Sequence, residues 1–402
     1  MSDAIVVLNA GSSSIKFAAF ACDAGSFALS DRLLHGEIDG TGATARLVAQ
    51  DAQGVPLQAS GVADPEDSPE GHDRSLRLLF EWLERQLPGR RILAAGHRVV
   101  HGGERFVGPV RVDAAILEQL DALGPLAPLH QPHNVAAMRV VARLHPDLPQ
   151  VASFDTAFHA TLPWLARTCA LPERLRSAGI RRYGFHGLSY EYIAGVLPEA
   201  LGDQADGRVV VAHLGNGASL CALRDRRSVE TTMGFTTLDG LMMGTRCGRL
   251  DAGVVMYMQS ALGMSLADVE QVLYRESGLL GVSGLSADMR ALEASDDPRA
   301  EAAIALFVHR ITQELGALAA ALGGLDALVF TAGIGEHSAA VRRRVCAAAG
   351  WLGVAIDDAA NRRHAPRIDS ASGRVRVHVI PTDEELMLAR HACDVLGAGD
   401  AA

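Results

Sequence analysis

An α/β fold made of two related halves is what this chain predicts, and three observations carry that reading. Its 402 residues are enough for two domains with sizeable cores. The stretches "IVVLNAGSSSIKFAAF" (5–20) and "RVVVAHLGNGASLCAL" (208–223) share one pattern: an apolar strand, a turn of small residues, a second apolar strand. After each of them, strand-like runs alternate with helical periodicity, the order expected of a partly parallel sheet with helices on its faces. A duplicated domain with a cleft between the copies follows from that repeat.

The elements follow in chain order. Ile5-Val6-Val7-Leu8 is a short apolar strand, Ile15 to Ala21 a second, and further strand-like pieces continue to about Val62. "ADPEDSPEGHD" (63–73) is a polar surface loop. Leu76, Leu79, Phe80, Leu83 and Leu87 recur at helical spacing. "ILAAGHRVV" (92–100) is a strand, helices lie near 112–123 and 133–144, and a strand ends in "VASFDTAFH". In the second half, helices are expected near 251–262, 265–276 and 300–323. "LDALVFTAGIGEHS" (325–338) runs from a strand into a Gly-rich turn and a helix, and the tail is a strand, a turn and a terminal helix. The expected domains are 1–155 together with about 386–402, and 156–385.

Composition narrows the function. Hydrophobic residues make up 49% and charged residues 21%, as in an ordinary globular protein. A net charge of −10 argues against a broad nucleic-acid surface, although a local cationic pocket stays open. The six cysteines include no C-x-x-C pair, which suits free thiols in a reducing cytoplasm and not a zinc site. The N-terminus shows no basic-then-apolar leader, and no uncharged run approaches the roughly 18–20 residues of a membrane span. A cytoplasmic protein with no membrane or nucleic-acid partner is expected.

Gly11-Ser12-Ser13-Ser14 and Gly215-Asn216-Gly217-Ala218-Ser219 aim backbone N–H groups and hydroxyls at one point, as an oxyanion nest does. Each alone reads more readily as a plain hairpin turn. Their matching positions, with a third Gly turn at 333–335, favour phosphate binding, though no Walker A loop occurs. Lys16 is the only lysine in the chain; it suits a place beside a phosphate and equally a solvated strand edge. His97, His101 and Glu104 form H-x-x-x-H-x-x-E, but Arg98 and the Gly102-Gly103 break argue against a metal site. No G-x-S-x-G elbow supports a serine hydrolase.

"VVLNAGSSSIKF" closely resembles the N-terminal signature of the acetate kinase family, and the likeness runs along nearly the whole chain. It continues through "GHRVVHGGERF" (96–106), "LAPLHQPHN" (126–134), "FDTAFH" (154–159), "RRYGFHGLSY" (181–190), "HLGNGAS" (213–219), "TTMGFTTLDGLMMGTRCGRLD" (231–251), "FTAGIGEHS" (330–338) and "IPTDEEL" (380–386). The resemblance implies the duplicated ribonuclease H-like fold of the actin, hexokinase and Hsp70 superfamily, with a central active-site cleft. It implies ATP-dependent phosphorylation of acetate to acetyl phosphate by direct, reversible transfer, with ATP/ADP as co-substrate, Mg2+ (or Mn2+) as metal, and a homodimer. Propionate or butyrate kinase is the alternative within the family, and a nucleotide-driven conformational module the alternative outside it.

Site residues carry over by motif. Asp155, His186 and Arg246 match catalytic positions, Asp155 as an orienting group because the acceptor is already an anion. Arg98, His130, Val100, Phe185 and Thr237 match the acid-binding side. Ser12, Ser14, Lys16, His213, Leu214, Gly215, Asn216, Gly217, Asp288, Met289, Arg290, Gly333, Ile334, Gly335, Glu336 and His337 match nucleotide contacts. Asn9 and Glu384 match the metal-associated positions. Four departures stand out. Thr237 replaces the proline of "GFTPL", leaving open the preference among acids, and His337 replaces the asparagine of "GIGEN". Arg249 and Ala252 alter "GDLDPG", and "HGLSY" replaces "HGTSH", placing Tyr190 where the motif has histidine.

Overall fold

A computed structural model describes residues 2–11, 14–39, 46–58 and 71–399. The chain forms two units, Met1–Ala157 with Asp383–Ala402, and Phe158–Thr382. Glu384 and Glu385 therefore belong with the first unit, whereas the sequence reading began that return at about 386.

The first unit is built on seven strands: β1 (Asp3–Ala10), β2 (Ser14–Cys22), β3 (Leu29–Asp39), β4 (Arg46–Asp51), β5 (Ile92–Val99), β6 (Val110–Arg111) and β7 (Gln150–Phe154). Their order is β4-β3-β2-β1-β5-β7-β6, antiparallel from β4 to β1, parallel through β1, β5 and β7, and antiparallel at β6. The central strand β1 is apolar without alternation because both of its faces are covered. On one face the helix Gly71–Gln86 seats Leu76, Leu79 and Leu83, all fully buried against Val6, Leu8 and Ala95. Each such leucine stabilises the packing by about 1.5–3 kcal/mol, against about 0–1 kcal/mol for a surface pair like Arg143–Asp73. Packing orients this helix. On the other face lies the closing helix Glu384–Gly399; a Cβ on Gly96 would stand 3.1 Å from the Leu388 carbonyl oxygen.

The second unit repeats the plan with β8 (Val209–Leu214), β9 (Ala218–Arg224), β10 (Arg227–Thr231), β11 (Ala327–Thr331) and β12 (Arg376–Val379), in the order β10-β9-β8-β11-β12. In both units the first three strands form an antiparallel meander, and two further strands add in parallel beside the first. This shared order is the duplication anticipated from the two hairpins. Asp225 and Arg226 join β9 to β10 with φ of +52° and +58°, the mirror-image turn that matches strand twist. The helix Pro298–Leu322 starts on an Asp297 cap and buries Ile304, Phe307, Ile311, Leu315 and Leu318 along one stripe, as a core helix should.

No helix among the described residues is long and apolar enough to cross a membrane. The expected helix at 265–276 is shorter, Leu266–Gln271 followed by a wider turn at Val272–Glu276. A helix at Gly187–Leu201 has no counterpart in the sequence reading, because it opens on glycine and carries Pro198.

Gly278 holds the loop that carries Arg246. Its φ is +66°, and a Cβ there would lie 2.2 Å from the Met243 carbonyl oxygen and 3.0 Å from the Arg246 amide. Gly278→Ala is expected to cost more than the about 1–2 kcal/mol of a left-handed alanine, because the backbone contact adds to it. A clear fall in the denaturant midpoint checks this; an unchanged midpoint contradicts it.

Candidate functional site

The carboxyl ends of β1, β5 and β7 place three side chains of the first unit together. Arg98, next to last in β5, donates from Nε to Asp155 Oδ1 at 2.8 Å and from Nη2 to Oδ2 at 2.6 Å. Its Nη1 reaches Asn9 Oδ1 at 3.3 Å, and Glu384 Oε2 lies 4.0 Å from Nε. Burial works against the charged guanidinium, but Asp155 and then Glu384 outweigh it and raise its pKa. A carboxylate that is only 1% exposed thus grips one edge of a permanently charged fork and fixes its direction.

The same strand ends are tied from below by Asn134, in the helix Gln131–Leu144. Its amide donates to the Ala10 carbonyl at 2.7 Å and accepts from the Val100 amide at 3.1 Å. Asn134 lies inside "LAPLHQPHN" but was not singled out in the sequence; only the fold shows that it bridges two strand ends. His130 is half-buried at the start of that helix. Ser14 opens β2, and Lys16 is exposed directly across from Asn9, on the same sheet face. Ser12 lies outside the described residues.

Among the described residues no group of three or more His, Cys, Asp and Glu side chains could hold a metal. His97 and His101 do not form one: burial depresses both imidazoles to about 4, and His101 Nδ1 accepts from the Gly103 amide. Asn9 and Glu384 both supply an oxygen beside Arg98. That sparse pair fits a hard divalent cation that takes its other oxygens from phosphate and water.

In the second unit a cavity of about 420 Å³ is lined by Gly215, Asn216, Ala287, Asp288, Met289, Arg290, Glu293, Gly333, Ile334, His337 and Ser338. Eight residues singled out from three separate motifs thus share one cavity. A Cβ on Gly333 would meet nothing within 4 Å, whereas one on Gly335 would stand 3.4 Å from the Ala212 carbonyl. Residues 333–335, read from the sequence as a Gly-rich turn, lie in a short helix, Ala332–His337, that follows β11 directly. Gly333 keeps the wall open, and Gly335 lets this helix pack on β8. The helix is pinned by a residue the sequence did not reveal. Arg342, fully buried, donates to the carbonyls of Gly335 at 2.8 Å and Glu336 at 2.7 Å, and to Asn361 Oδ1 at 2.8 Å. Glu336 itself turns away from the cavity and accepts from the Thr382 amide at 3.2 Å. Asp288 pairs with Arg290 at 2.7 Å, Met289 is buried, and His337 is exposed.

The turn between β8 and β9 is flanked by the remaining predicted residues. His213 and Leu214 end β8, and the His213 ring stacks on His186 with centroids 4.1 Å apart. A Cβ on Gly217 would be 3.5 Å from His186 Nε2 and 3.7 Å from Arg246 Nη1, so a guanidinium and an imidazole converge where the turn has no side chain. Arg246 Nη1 donates to the Thr237 carbonyl at 3.0 Å, so Thr237 acts here through its backbone. Phe185 is buried, and its carbonyl accepts from His159 Nε2 at 2.9 Å, which holds the chain just before His186 in its left-handed conformation, φ +60°.

A model of the acetokinase family matches residues 4–390. The chain belongs to that family. An acetate kinase of Rhodopseudomonas palustris is 55% identical, over 99% of this chain and 100% of its own length. Among solved structures, a propionate kinase of Francisella tularensis is similar with a TM-score of 0.88 and 36% identity, covering 97% of this chain and 98% of its own. Acetate kinase of Porphyromonas gingivalis gives 0.87 and 34%, covering 98% and 100%. The duplicated α/β architecture read from the two hairpins is the architecture of this acetokinase family.

His159 also sets a pH dependence. Burial pushes its imidazole down to about 4, while an unfolded histidine binds a proton at about 6.5. The stability it supports is therefore full above about 6.5 and is lost as pH falls toward 4. Unfolding free energy measured from pH 7.5 to 4.5 should decline on acidification, and His159→Gln should decline less steeply. Parallel curves contradict this assignment.

Proposed function

We propose that this protein transfers the γ-phosphoryl group of ATP to acetate, reversibly forming acetyl phosphate and ADP. The observation that carries the reading is the second unit's cavity with the adjoining Gly217 turn. There the residues of separate motifs gather around a nucleotide-sized space, and His186 and Arg246 converge beside it.

Phosphoryl transfer needs positioning and charge neutralisation more than covalent help. The cavity walls take the nucleotide, with Gly333 allowing close approach of its backbone. Arg246 and His186 donate to the oxygens of the phosphoryl group in flight. Arg98, aimed by Asp155, grips the carboxylate, with His130 and Val100 on the acid side of the first unit. The acceptor is already an anion, so Asp155 orients the guanidinium and abstracts no proton. Asn9 and Glu384 would hold Mg2+, which when bound supplies neutralising charge to the phosphates. Lys16, on the same sheet face as Asn9, adds positive charge there. The likeness to a propionate kinase favours some activity on the next longer acid.

Hydroxamate trapping of acyl phosphate with Mg-ATP should rank acetate first. Propionate should follow within the about 10–200-fold that one methylene is worth. Arg246→Ala should lower kcat about 100- to 1000-fold with an unchanged fold by circular dichroism. No acyl phosphate from any short acid, or near-wild-type turnover of the variant, would overturn the reading.

A homodimer in the cytoplasm is part of the same proposal. The helix Ala252–Ser260 buries none of its residues, and Val254, Met256, Tyr257, Leu262 and Leu266 are all exposed, from 41% to 70%. Exposed apolar side chains gathered within one short stretch of chain suit a self-complementary two-fold contact. All six cysteines are free thiols, as a reducing compartment allows. Sedimentation should give a dimer, and Met256→Glu with Tyr257→Glu should give a monomer. A monomeric wild type contradicts the dimer.

A further inference from the structure

We propose that Tyr190 and Ser219 are positioning residues whose hydroxyl relay fixes His186 in one tautomer, with its ring proton on Nε2 beside Arg246. The relay is explicit in the geometry. Tyr190 OH lies 2.5 Å from Ser219 Oγ, and Ser219 Oγ lies 2.8 Å from His186 Nδ1. Tyr190 and Ser219 are both 0% exposed, so neither hydroxyl exchanges its partner for water.

Hydrogen counting then sets the direction. Burial raises the Tyr190 pKa well above its ordinary value, so the phenol keeps its proton and must donate it. The phenol belongs to a cluster with Ile193, Leu197, Val211, Val329 and Cys221, in which the Cys221 sulfur is only a weak acceptor. Ser219 Oγ therefore accepts from the phenol and passes its own hydrogen to His186 Nδ1. With Nδ1 accepting, the neutral ring carries its hydrogen on Nε2. The reverse chain, from Nδ1–H through Ser219 to the phenol oxygen, would turn the phenol hydrogen away from a good oxygen acceptor toward the weak Cys221 sulfur.

A second relay of the same form repeats the arrangement one ring away. His213 Nδ1 lies 2.8 Å from Ser189 Oγ, which accepts from Thr382 Oγ1 at 2.9 Å. The two rings stack with centroids 4.1 Å apart and planes 21° apart, so holding one ring helps to hold the other. His186 Nε2 faces the Gly217 turn with Arg246 Nη1 close by. An Nε2–H there is a donor; the other tautomer would put a lone pair against an incoming phosphoryl oxygen. Position 190 is also where this chain departs from the family's "HGTSH". A histidine there offers either a donor or an acceptor, whereas a buried phenol is a donor at the head of the relay.

The role of the tautomer in transfer rests on the kinase reading above, but the tautomer has its own readout. Long-range 15N–1H spectra of the full-length protein, with the His186 signals assigned by loss in His186→Gln, should show a protonated Nε2 and an unprotonated Nδ1. Ser219→Ala should give a mixed pattern and lower kcat about 10- to 100-fold, the scale for a group that orients a functional histidine. KM for ATP and acetate should stay within about twofold. Ser219→Thr should restore both readouts, and Tyr190→Phe should shift both in the same direction by less. A protonated Nδ1 in the wild type overturns the proposal, as does a fall in kcat with an unchanged nitrogen pattern. If the wild type makes no acyl phosphate yet shows the Nε2–H pattern, the kinase reading fails and the relay stands.

Discussion

A strand that ends in a tight turn runs out of backbone partners at its carboxyl end, and both units of this protein are organised around that shortage. In each, the first strand is flanked on one side by its own hairpin return and on the other by a parallel strand ending at nearly the same level. The unpaired amides, carbonyls and side chains of several strands therefore open at one place. Open α/β sheets put their ligands at such strand ends because only there is polar backbone available to bind. Asn134 shows the constraint at work: one amide side chain satisfies the end of β1 and the residue after β5 together.

Directional control of charge is the second theme. Arg98 is aimed by a buried carboxylate, Arg246 by the Thr237 carbonyl, and Arg342 by the Gly335, Glu336 and Asn361 oxygens. A guanidinium has five donors and no acceptor. Filling some of those donors from within the protein decides where the others point. Arg342 is wholly spent in this way and holds the short helix Ala332–His337 in place.

Much of this was legible in the chain, and the limits have physical causes. Unbroken apolar runs such as Ile5–Leu8 and Val209–Val211 announced central strands, and the helical spacing at 76–87 announced its helix, because burial on a sheet dictates both patterns. Ser219, Tyr190 and Arg342 were not legible as site supports. Their importance lies in partners that only the fold identifies, 33 residues away for Ser219 and His186 and seven for Arg342 and Gly335, and a hydroxyl or guanidinium carries no periodic signature. The helix Gly187–Leu201 was missed for a related reason: tertiary packing of Tyr190, Ile193 and Leu197 overrides its weak local propensity. Lys16 sits across from Asn9, an arrangement that only strand register reveals.

The path of the chain also has a consequence for how the protein is made. The second unit is one continuous stretch, whereas the first is closed by the helix Glu384–Gly399, which follows it in sequence. During synthesis the face of the first sheet around Gly96 and Ser153 must wait, uncovered, while more than two hundred intervening residues emerge. Nascent chains of this protein therefore leave that apolar sheet face uncovered until the helix Glu384–Gly399 has emerged. Because Glu384 arrives with that same helix, the carboxylate beside Arg98 is installed only after the whole of the second unit has been made.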